Sequence, residues 1–265
     1  MTRIDRVFKQ LKAKGEKALI PFITAGDPDL ATTRALALEM AARGADILEL
    51  GVPFSDPLAD GPTIQAASLR AMRGGVHLED VLNLAGDLRA HTQIPLILMG
   101  YYNPMLQYGL ERTATLAAAK GVDGFIIPDL PPEEARPWRT AAAKAKIATI
   151  FLAAPTSGPE RIKAMGRLTK GFLYYVSVTG ITGARTALPP DLAASLQEVR
   201  ALVKCPLAVG FGISTPEQVA ALAPYVDGVV VGSAIVQRVA RLSGKELLLE
   251  IGDFIAALKE PLRRK

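Results

Sequence analysis

The sequence lacks the residues that several kinds of site require. Its 265 residues include one cysteine, Cys205, and two histidines. A single cysteine excludes an internal disulfide, suits a reducing cytoplasm, and is expected here as a small buried apolar residue. His77 and His91 lie on or beside predicted helices, and we interpret both as ordinary surface residues. No group of residues has metal-ligand spacing, so the sequence predicts no metal site.

Long apolar runs and dense basic runs are also scarce. No stretch reaches about 18 uninterrupted apolar residues, so we expect no membrane span. Apolar residues at helical spacing between positions 4 and 11, set among basic ones, predict an amphipathic helix rather than a signal peptide. The formal net charge is +5, but the basic residues are dispersed apart from the cluster at 263–265. We therefore expect no nucleic-acid partner.

Apolar and helical segments alternate along the chain, and no linker divides it, so we predict one domain over residues 1–265. Eight apolar runs predict strands at 19–24, 47–51, 94–100, 124–128, 147–153, 172–178, 207–211 and 229–232. Helical patterns span 31–43, 63–72, 78–89, 110–119, 133–144, 159–168, 190–202, 216–222, 234–239 and 245–258. This alternation predicts right-handed βαβ units and a parallel sheet.

Two features of the strands favour a closed barrel over an open sheet. Their apolar runs are continuous, which is typical of strands covered on both faces. Strands two, four and eight open alike, with G-A-D-I-L-E-L-G, G-V-D-G-F-I-I-P and Y-V-D-G-V-V-V-G. A closed ring of equivalent βα modules explains this internal similarity. An open sheet would instead have edge strands that are shorter or more polar. We predict an α/β fold, a single (β/α)8 TIM barrel with an extra N-terminal helix.

Glu49 is a carboxylate inside the apolar run of strand two. An ionised group there costs several kcal/mol unless it is paired or neutralised. The loop that follows ends at Asp60, so both carboxylates can face one cavity at the barrel mouth, where such barrels hold their active sites. The alternative is that Glu49 pairs with a cation on the helical side, although the neighbouring strands contain no Lys or Arg.

Small residues follow the last three strands, in the segments V-T-G-I-T-G-A-R, G-F-G-I-S-T and G-S-A-I-V-Q-R. Their backbone N–H groups can approach an anion, and barrels commonly hold phosphate in the loops after strands seven and eight. Ser233 is expected to cap the helix at 234–239 and to reach that anion. Each glycine alone is explained by a tight turn, but together they predict a phosphorylated small-molecule substrate.

The strands also limit the chemistry. None of the eight carries Lys, which excludes a Schiff-base aldolase nucleophile there. The absence of a metal-ligand cluster argues against Lewis-acid enolate chemistry. Proton transfer is therefore left to two carboxylates, and the substrate must supply its own electron sink.

Six blocks of sequence resemble the tryptophan synthase alpha subunit family. They are I-P-F-I-T-A-G-D-P (20–28), E-L-G-V-P-F-S-D-P-L-A-D-G-P-x-I-Q (49–65), L-M-G-Y-Y-N-P (98–104), I-I-P-D-L-P (126–131), V-T-G-I-T-G-A-R (178–185) and V-G-F-G-I (209–213). The second block is highly specific. The resemblance implies a lyase of tryptophan biosynthesis that cleaves indole-3-glycerol phosphate to indole and glyceraldehyde 3-phosphate by a retro-aldol reaction. Protonation at indole C3 would then create the electron sink.

The resemblance also implies roles for single residues. Glu49 matches the family's general acid and base, and Asp60 matches the carboxylate that accepts the indole N–H. Matches to the phosphate site are Gly183, Gly212, Gly232 and Ser233. Matches around indole are Phe22, Ile64 and Tyr174, of which Tyr174 is equally explained as a core aromatic.

A partner is implied as well, namely a pyridoxal-phosphate beta subunit in an alpha-beta-beta-alpha heterotetramer, with no cofactor in this chain. The positions that match partner-facing loops are Asp56, Pro57, Tyr101, Asn103, Pro104, Asp129 and Pro131; ordinary turn chemistry explains the same residues. We further expect the segments 53–62 and 179–189 to close over the substrate. Two other hypotheses stay open, a stand-alone lyase that releases indole and a feebly catalytic barrel that activates a partner, and retention of Glu49 and Asp60 argues against the latter.

Overall fold

The computed structural model describes residues 1–176, 191–210 and 212–263. In these ranges the strands are β1 (Ala18–Thr24), β2 (Leu48–Gly51), β3 (Leu96–Met99), β4 (Gly124–Ile126), β5 (Ala148–Ile150), β6 (Leu152–Ala153), β7 (Leu173–Val176), β8 (Leu207–Gly210) and β9 (Gly228–Val231). Each pairs in parallel with its neighbours in the order β5-β4-β3-β2-β1-β9-β8-β7-β6. The predicted (β/α)8 barrel is confirmed.

Helices occupy the connections between the strands. They are α1 (Arg3–Lys14), α2 (Leu30–Ala42), α3 (Pro62–Arg73), α4 (Leu78–Arg89), α5 (Tyr102–Tyr108), α6 (Leu110–Ala119), α7 (Arg136–Lys144), α8 (Pro159–Leu168), α9 (Leu192–Leu202), α10 (Pro216–Leu222), α11 (Ser233–Val239) and α12 (Gly244–Lys259), followed by a 3-10 turn at Glu260–Leu262. Among these helices, none has the length and apolar character needed to cross a membrane.

The fifth barrel strand, predicted as one run over 147–153, is divided at Phe151. The backbone N–H of Phe151 donates to the hydroxyl of Thr169 at 3.2 Å, while its carbonyl accepts from Tyr174 N at 3.0 Å. The segment before Phe151 pairs with β4, and the segment after it pairs with β7. The strand therefore changes neighbours at this residue and closes the ring.

Two helices differ from the sequence prediction. The helix expected from residue 133 begins at Arg136, because Pro131 and Pro132 lead into turns in which Glu134 N donates to Pro131 O at 3.1 Å. Helix α5 was not predicted, and it includes Asn103 and Pro104, which the sequence analysis had placed in a loop. Proline is tolerated in the first turn of a helix, where its missing N–H has no intrahelical acceptor.

The barrel interior is filled by side chains that alternate along each strand. In β1, Ile20 and Phe22 belong to the interior cluster, whereas Leu19 and Ile23 pack outward against the helices. Helix α1 closes the N-terminal end, and its Phe8 ring lies 5.6 Å from that of Phe172. The predicted N-terminal helix is thus part of the core, and the opposite, C-terminal end of the strands is left as the mouth.

The similar sequences that open predicted strands two, four and eight each contain an aspartate, and these three residues occupy equivalent positions at the closed end of the barrel. Each carboxylate accepts the backbone N–H of a residue in the preceding strand and a bond from a basic side chain. The backbone bonds are Leu19 N to Asp46 at 2.7 Å, Leu96 N to Asp123 at 2.9 Å and Leu207 N to Asp227 at 2.8 Å. The basic partners are Lys259, Arg89 and Arg200 respectively. The buried carboxylate of Asp123 and the partly buried ones of Asp46 and Asp227 are therefore satisfied.

Candidate active site

A cavity opens at the mouth of the barrel, at the C-terminal ends of the strands. Its lining residues are Phe22, Glu49, Asp60, Ile64, Met99, Tyr174, Gly212, Val230, Gly232 and Ser233. Eight of these ten were predicted from the sequence as site residues, and Met99 and Val230 were not. Gly183 and the expected lid at 179–189 lie outside the described residues.

Glu49 enters the cavity from β2, where the register places it opposite Phe22 of β1. The residue is only 1% exposed, and its Oε2 has no hydrogen-bond partner in the described part of the chain. Burial raises the pKa of the Glu49 carboxyl to about 8, and the nearby charge of Asp60 adds to the increase. No ion pair joins Glu49 to a basic side chain in the same described ranges, which disfavours the alternative of a cation-paired glutamate.

Asp60 lies in the loop between β2 and α3, just before the first turn of that helix. It is 6% exposed, and its Oδ2 accepts a hydrogen bond from the Tyr101 hydroxyl at 3.0 Å. Its backbone is held by two further bonds, from Gln65 Nε2 to Asp60 O at 2.8 Å and from Asp60 N to Pro57 O at 2.9 Å. Burial raises the pKa of Asp60 to about 6, while the bond from Tyr101 opposes that rise.

The two carboxyl groups therefore differ in charge at neutral pH. With a pKa of about 8, Glu49 is mostly protonated and can donate a proton. With a pKa of about 6, Asp60 is mostly ionised and can stabilise positive charge or accept an N–H. A pair of carboxyl groups whose environments separate their pKa values is a general arrangement for acid catalysis beside an anionic stabiliser.

Phe22 and Tyr174 are accommodated by glycines on neighbouring strands. A Cβ added at Gly51 would lie 2.6 Å from the Phe22 ring, and one added at Gly210 would lie 2.1 Å from the Tyr174 hydroxyl. Tyr174 is 4% exposed, and burial, together with the charges of Glu49 and Asp60, raises the pKa of its hydroxyl well above the usual range. Tyr174 is thus a core aromatic that also lines the cavity.

Backbone groups line the side of the cavity next to β8 and β9. Gly212 has φ of +82°, a left-handed conformation that favours glycine. At the start of α11 the N-cap is Gly232, and Ser233 is the first helical residue, with no side-chain cap bond. The prediction that Ser233 caps this helix is wrong, because the N-cap position lies one residue earlier. The serine still lines the cavity.

The predicted partner-facing residues follow β2, β3 and β4. Asp56, Asn103 and Asp129 are exposed, whereas the prolines at 57, 104 and 131 are partly buried. Asp129 also accepts the backbone N–H of Tyr102 at 2.9 Å, which satisfies the first turn of α5. Tyr101 differs from the others, because it is 5% exposed and contacts Asp60 rather than solvent. Leu58, beside Pro57, is 90% exposed and adds an apolar side chain to this rim.

Three residues that the sequence assigned to no site can be compared with the structure. His77 and His91 are exposed, as predicted, whereas Cys205, which was expected to be buried, is only half-buried. Across the described ranges, no group of three or more His, Cys, Asp or Glu residues could hold a metal ion.

Comparison with known proteins gives consistent matches over nearly the whole chain. A family model described as tryptophan synthase alpha chain matches residues 8–254. The tryptophan synthase alpha chain of Citrifermentans bemidjiense is 54% identical over 260 residues, which cover 98% of this chain and 97% of that protein. The crystal structure of tryptophan synthase subunit alpha from Legionella pneumophila has a TM-score of 0.90 and 40% identity, covering 99% of this chain and 98% of that one.

A structure of Mycobacterium tuberculosis tryptophan synthase contains a chain that is 37% identical, with a TM-score of 0.91 and coverage of 100% of this chain and 99% of that one. The similarity thus includes the strands, the connecting helices and the sequence blocks at the barrel mouth. This chain belongs to the tryptophan synthase alpha chain family.

Proposed function

We propose that this chain is a carbon-carbon lyase that cleaves indole-3-glycerol phosphate to indole and glyceraldehyde 3-phosphate, as one catalytic domain. The proposal rests on one observation: in the same cavity, Glu49 favours the protonated form at neutral pH and Asp60 favours the ionised form. Such a reaction needs a proton donor for the indole ring and a separate anion for the positive charge that results. Family membership supports the same assignment.

The reaction proceeds in two proton transfers through Glu49. Protonated Glu49 first donates to indole C3, which places positive charge on the ring, and the ionised Asp60 accepts the ring N–H and stabilises that charge. The Glu49 carboxylate then takes the proton of the side-chain hydroxyl adjacent to C3. The bond between C3 and the side chain breaks, its electron pair returns to the ring, and the hydroxyl carbon becomes the aldehyde. Glu49 ends protonated, ready for another cycle.

The rest of the cavity suits the two ends of this substrate. Phe22, Ile64 and Met99 offer apolar surface for the indole ring. Gly212, Gly232 and Ser233 also line the cavity and can offer backbone N–H groups to the phosphate, and Gly183 joins them by its match to the family. No cofactor is needed in this chain, because the protonated indole ring serves as the electron sink.

The partner is a beta subunit that uses pyridoxal phosphate to join indole with serine, in a cytoplasmic alpha-beta-beta-alpha assembly. The support is an exposed rim beside the cavity, formed by Asp56, Leu58, Asn103 and Asp129. A chain 37% identical to this one is present in a solved structure of Mycobacterium tuberculosis tryptophan synthase.

Turnover of indole-3-glycerol phosphate by Glu49→Gln tests the function. The substitution keeps the size of the side chain but removes its proton, and turnover should fall by about 10²- to 10⁴-fold. The matched control is Glu246→Gln, which alters an exposed carboxyl in the first turn of α12 and should be neutral. Turnover above a tenth of the wild-type value in Glu49→Gln would refute the assignment. Repeating the assay with a beta subunit separates the alpha subunit from a stand-alone lyase, which would gain nothing from it.

A further inference from the structure

Tyr101 makes three contacts with one loop. Its hydroxyl donates to Asp60 Oδ2 at 3.0 Å and accepts the backbone N–H of Ala59 at 3.0 Å. Its ring stacks on Phe54, with the centroids 5.2 Å apart and the planes inclined by 29°. Phe54, Ala59 and Asp60 all belong to the connection between β2 and α3, so one buried side chain spans that connection from its start to its end.

The backbone of Tyr101 is itself held from both sides. Tyr101 is the N-cap of α5, and the next backbone N–H, of Tyr102, donates to the Asp129 carboxylate at 2.9 Å. On the other side, Gly100 N donates to Ile126 O at 3.1 Å, which ties the segment to β4. The phenol is therefore presented to Asp60 from a fixed part of the barrel.

The hydroxyl has a definite direction of hydrogen bonding. Because it accepts the Ala59 N–H, its own proton is directed to the Asp60 carboxylate. A donor to a carboxylate favours the ionised form over the protonated form. The same bond fixes Oδ2 and leaves Oδ1 of Asp60 for another donor, such as the N–H of an indole ring.

We propose that Tyr101 is a positioning residue for the reaction, which orients the Asp60 carboxylate across the cavity and keeps it ionised at neutral pH. The proposal rests on the proposed function, since it gives Tyr101 its effect through the role of Asp60. It gives Tyr101, which follows β3, a role in holding the loop that carries Asp60, although the sequence had suggested a position facing the partner.

The test is the pH dependence of kcat/KM in Tyr101→Phe. Phenylalanine keeps the ring stacked on Phe54 and removes only the hydroxyl. At pH 7, kcat/KM should fall about 10-fold, corresponding to one lost hydrogen bond to a charged group. The acid limb of the profile, which follows ionisation of Asp60, should move to higher pH. Relative to wild type at the same pH, the loss in kcat/KM should shrink as the pH rises through the new limb, which a merely structural defect would not allow.

Tyr108→Phe is the matched control. The Tyr108 hydroxyl also donates to a carboxylate, Glu79 Oε2, at 3.0 Å, but on the exposed side of α5. Its removal should leave the acid limb unchanged. A comparable shift in Tyr108→Phe would overturn the proposal, because the effect would then not depend on Asp60.

Combining the variants separates this proposal from the proposed function. In an Asp60→Asn background, Tyr101→Phe should cause little further loss, since the two residues act through one bond. If Asp60→Asn loses activity but Tyr101→Phe lowers kcat/KM equally in both backgrounds, or leaves the acid limb in place, Tyr101 does not act through Asp60. If Asp60→Asn is fully active, the proposed function itself fails. Titration of the Asp60 carboxyl by ¹³C NMR gives a second readout, in which Tyr101→Phe should raise the pKa and an unchanged titration would refute the proposal.

Discussion

Glu49 and Phe22 lie directly opposite each other in the register of β2 and β1, and both side chains line the cavity at the barrel mouth. The carboxyl is thereby enclosed by apolar neighbours on the strands beside it, and burial is the main cause of its pKa of about 8. This pairing makes Glu49 useful as an acid, but it also makes the ionised form costly to the fold.

The first prediction concerns stability. The Glu49 pKa rises from 4.5 to about 8 on folding, so its favourable contribution is fully present below pH 4.5 and is lost as the pH rises through 8. Gln does not titrate, so Glu49→Gln should become progressively more stable than wild type between these pH values. Urea unfolding at a series of pH values measures the difference, with Glu246→Gln as control. A difference that does not vary with pH would contradict the raised pKa.

The second prediction concerns the wild-type rate. For the free enzyme, kcat/KM should follow a bell-shaped pH profile, with an acid limb near pH 6 from Asp60 and a basic limb near pH 8 from Glu49. Activity is lost at pH values below the acid limb because Asp60 is protonated there. It is lost above the basic limb because Glu49 then has no proton to donate. Steady-state kinetics with indole-3-glycerol phosphate measures both limbs. A profile that stays flat from pH 5 to pH 9 would exclude these assignments.

The fold was predictable because its signals are local and repeated. Continuous apolar runs that alternate with helical patterns identify a parallel barrel, and the count of eight agrees with the ring. The division of the fifth strand at Phe151 was not predictable, since it depends on the hydroxyl of Thr169, which lies 18 positions later in the chain. Helix α5 was missed because Asn103 and Pro104 were interpreted as loop or turn residues, although the first turn of a helix accepts proline.

The site was predictable where residues carry unusual chemistry for their position. Glu49 inside a strand and Asp60 at the end of a loop were of this kind. Met99 was missed because an apolar residue at the end of a strand resembles any other core residue. The contact between Tyr101 and Asp60 was missed because the two residues are 41 positions apart and only the fold brings them together.

The third prediction tests the fit between Tyr174 and Gly210. In Gly210→Ala the new Cβ would meet the Tyr174 hydroxyl at 2.1 Å, so the ring must move from the cavity wall. We expect a loss of about 1 to 3 kcal/mol in stability. Tyr174→Phe should recover part of it in the double variant, with a coupling of about 1 kcal/mol. Gly158→Ala, where the Cβ meets nothing within 4 Å, is the control. Additive losses in a double-mutant cycle would show that the two positions do not compete for space.

The fourth prediction tests the anion side of the cavity. Gly232→Asp places a carboxylate at the proposed phosphate position, and glycerol phosphate should then no longer protect the protein against thermal unfolding. Gly232→Ala is the matched control, because it adds the same Cβ, 3.3 Å from the Phe22 ring, without charge. Alanine should therefore retain most of the protection. Undiminished protection of Gly232→Asp would locate the anion elsewhere.

The aspartates at the closed end of the barrel specify the register of the strands, which the apolar side chains of the strands do not. Val, Ile and Leu are nearly interchangeable along these runs, so an apolar strand could slide along its neighbour with little change in what it buries. A slide would, however, separate Asp46, Asp123 or Asp227 from its backbone N–H and its basic partner, and would leave a carboxylate unsatisfied. The three residues thus fix the register of their strands. The Glu49 carboxyl lies at the barrel mouth because Asp46, three residues earlier in the same segment, is held at the closed end.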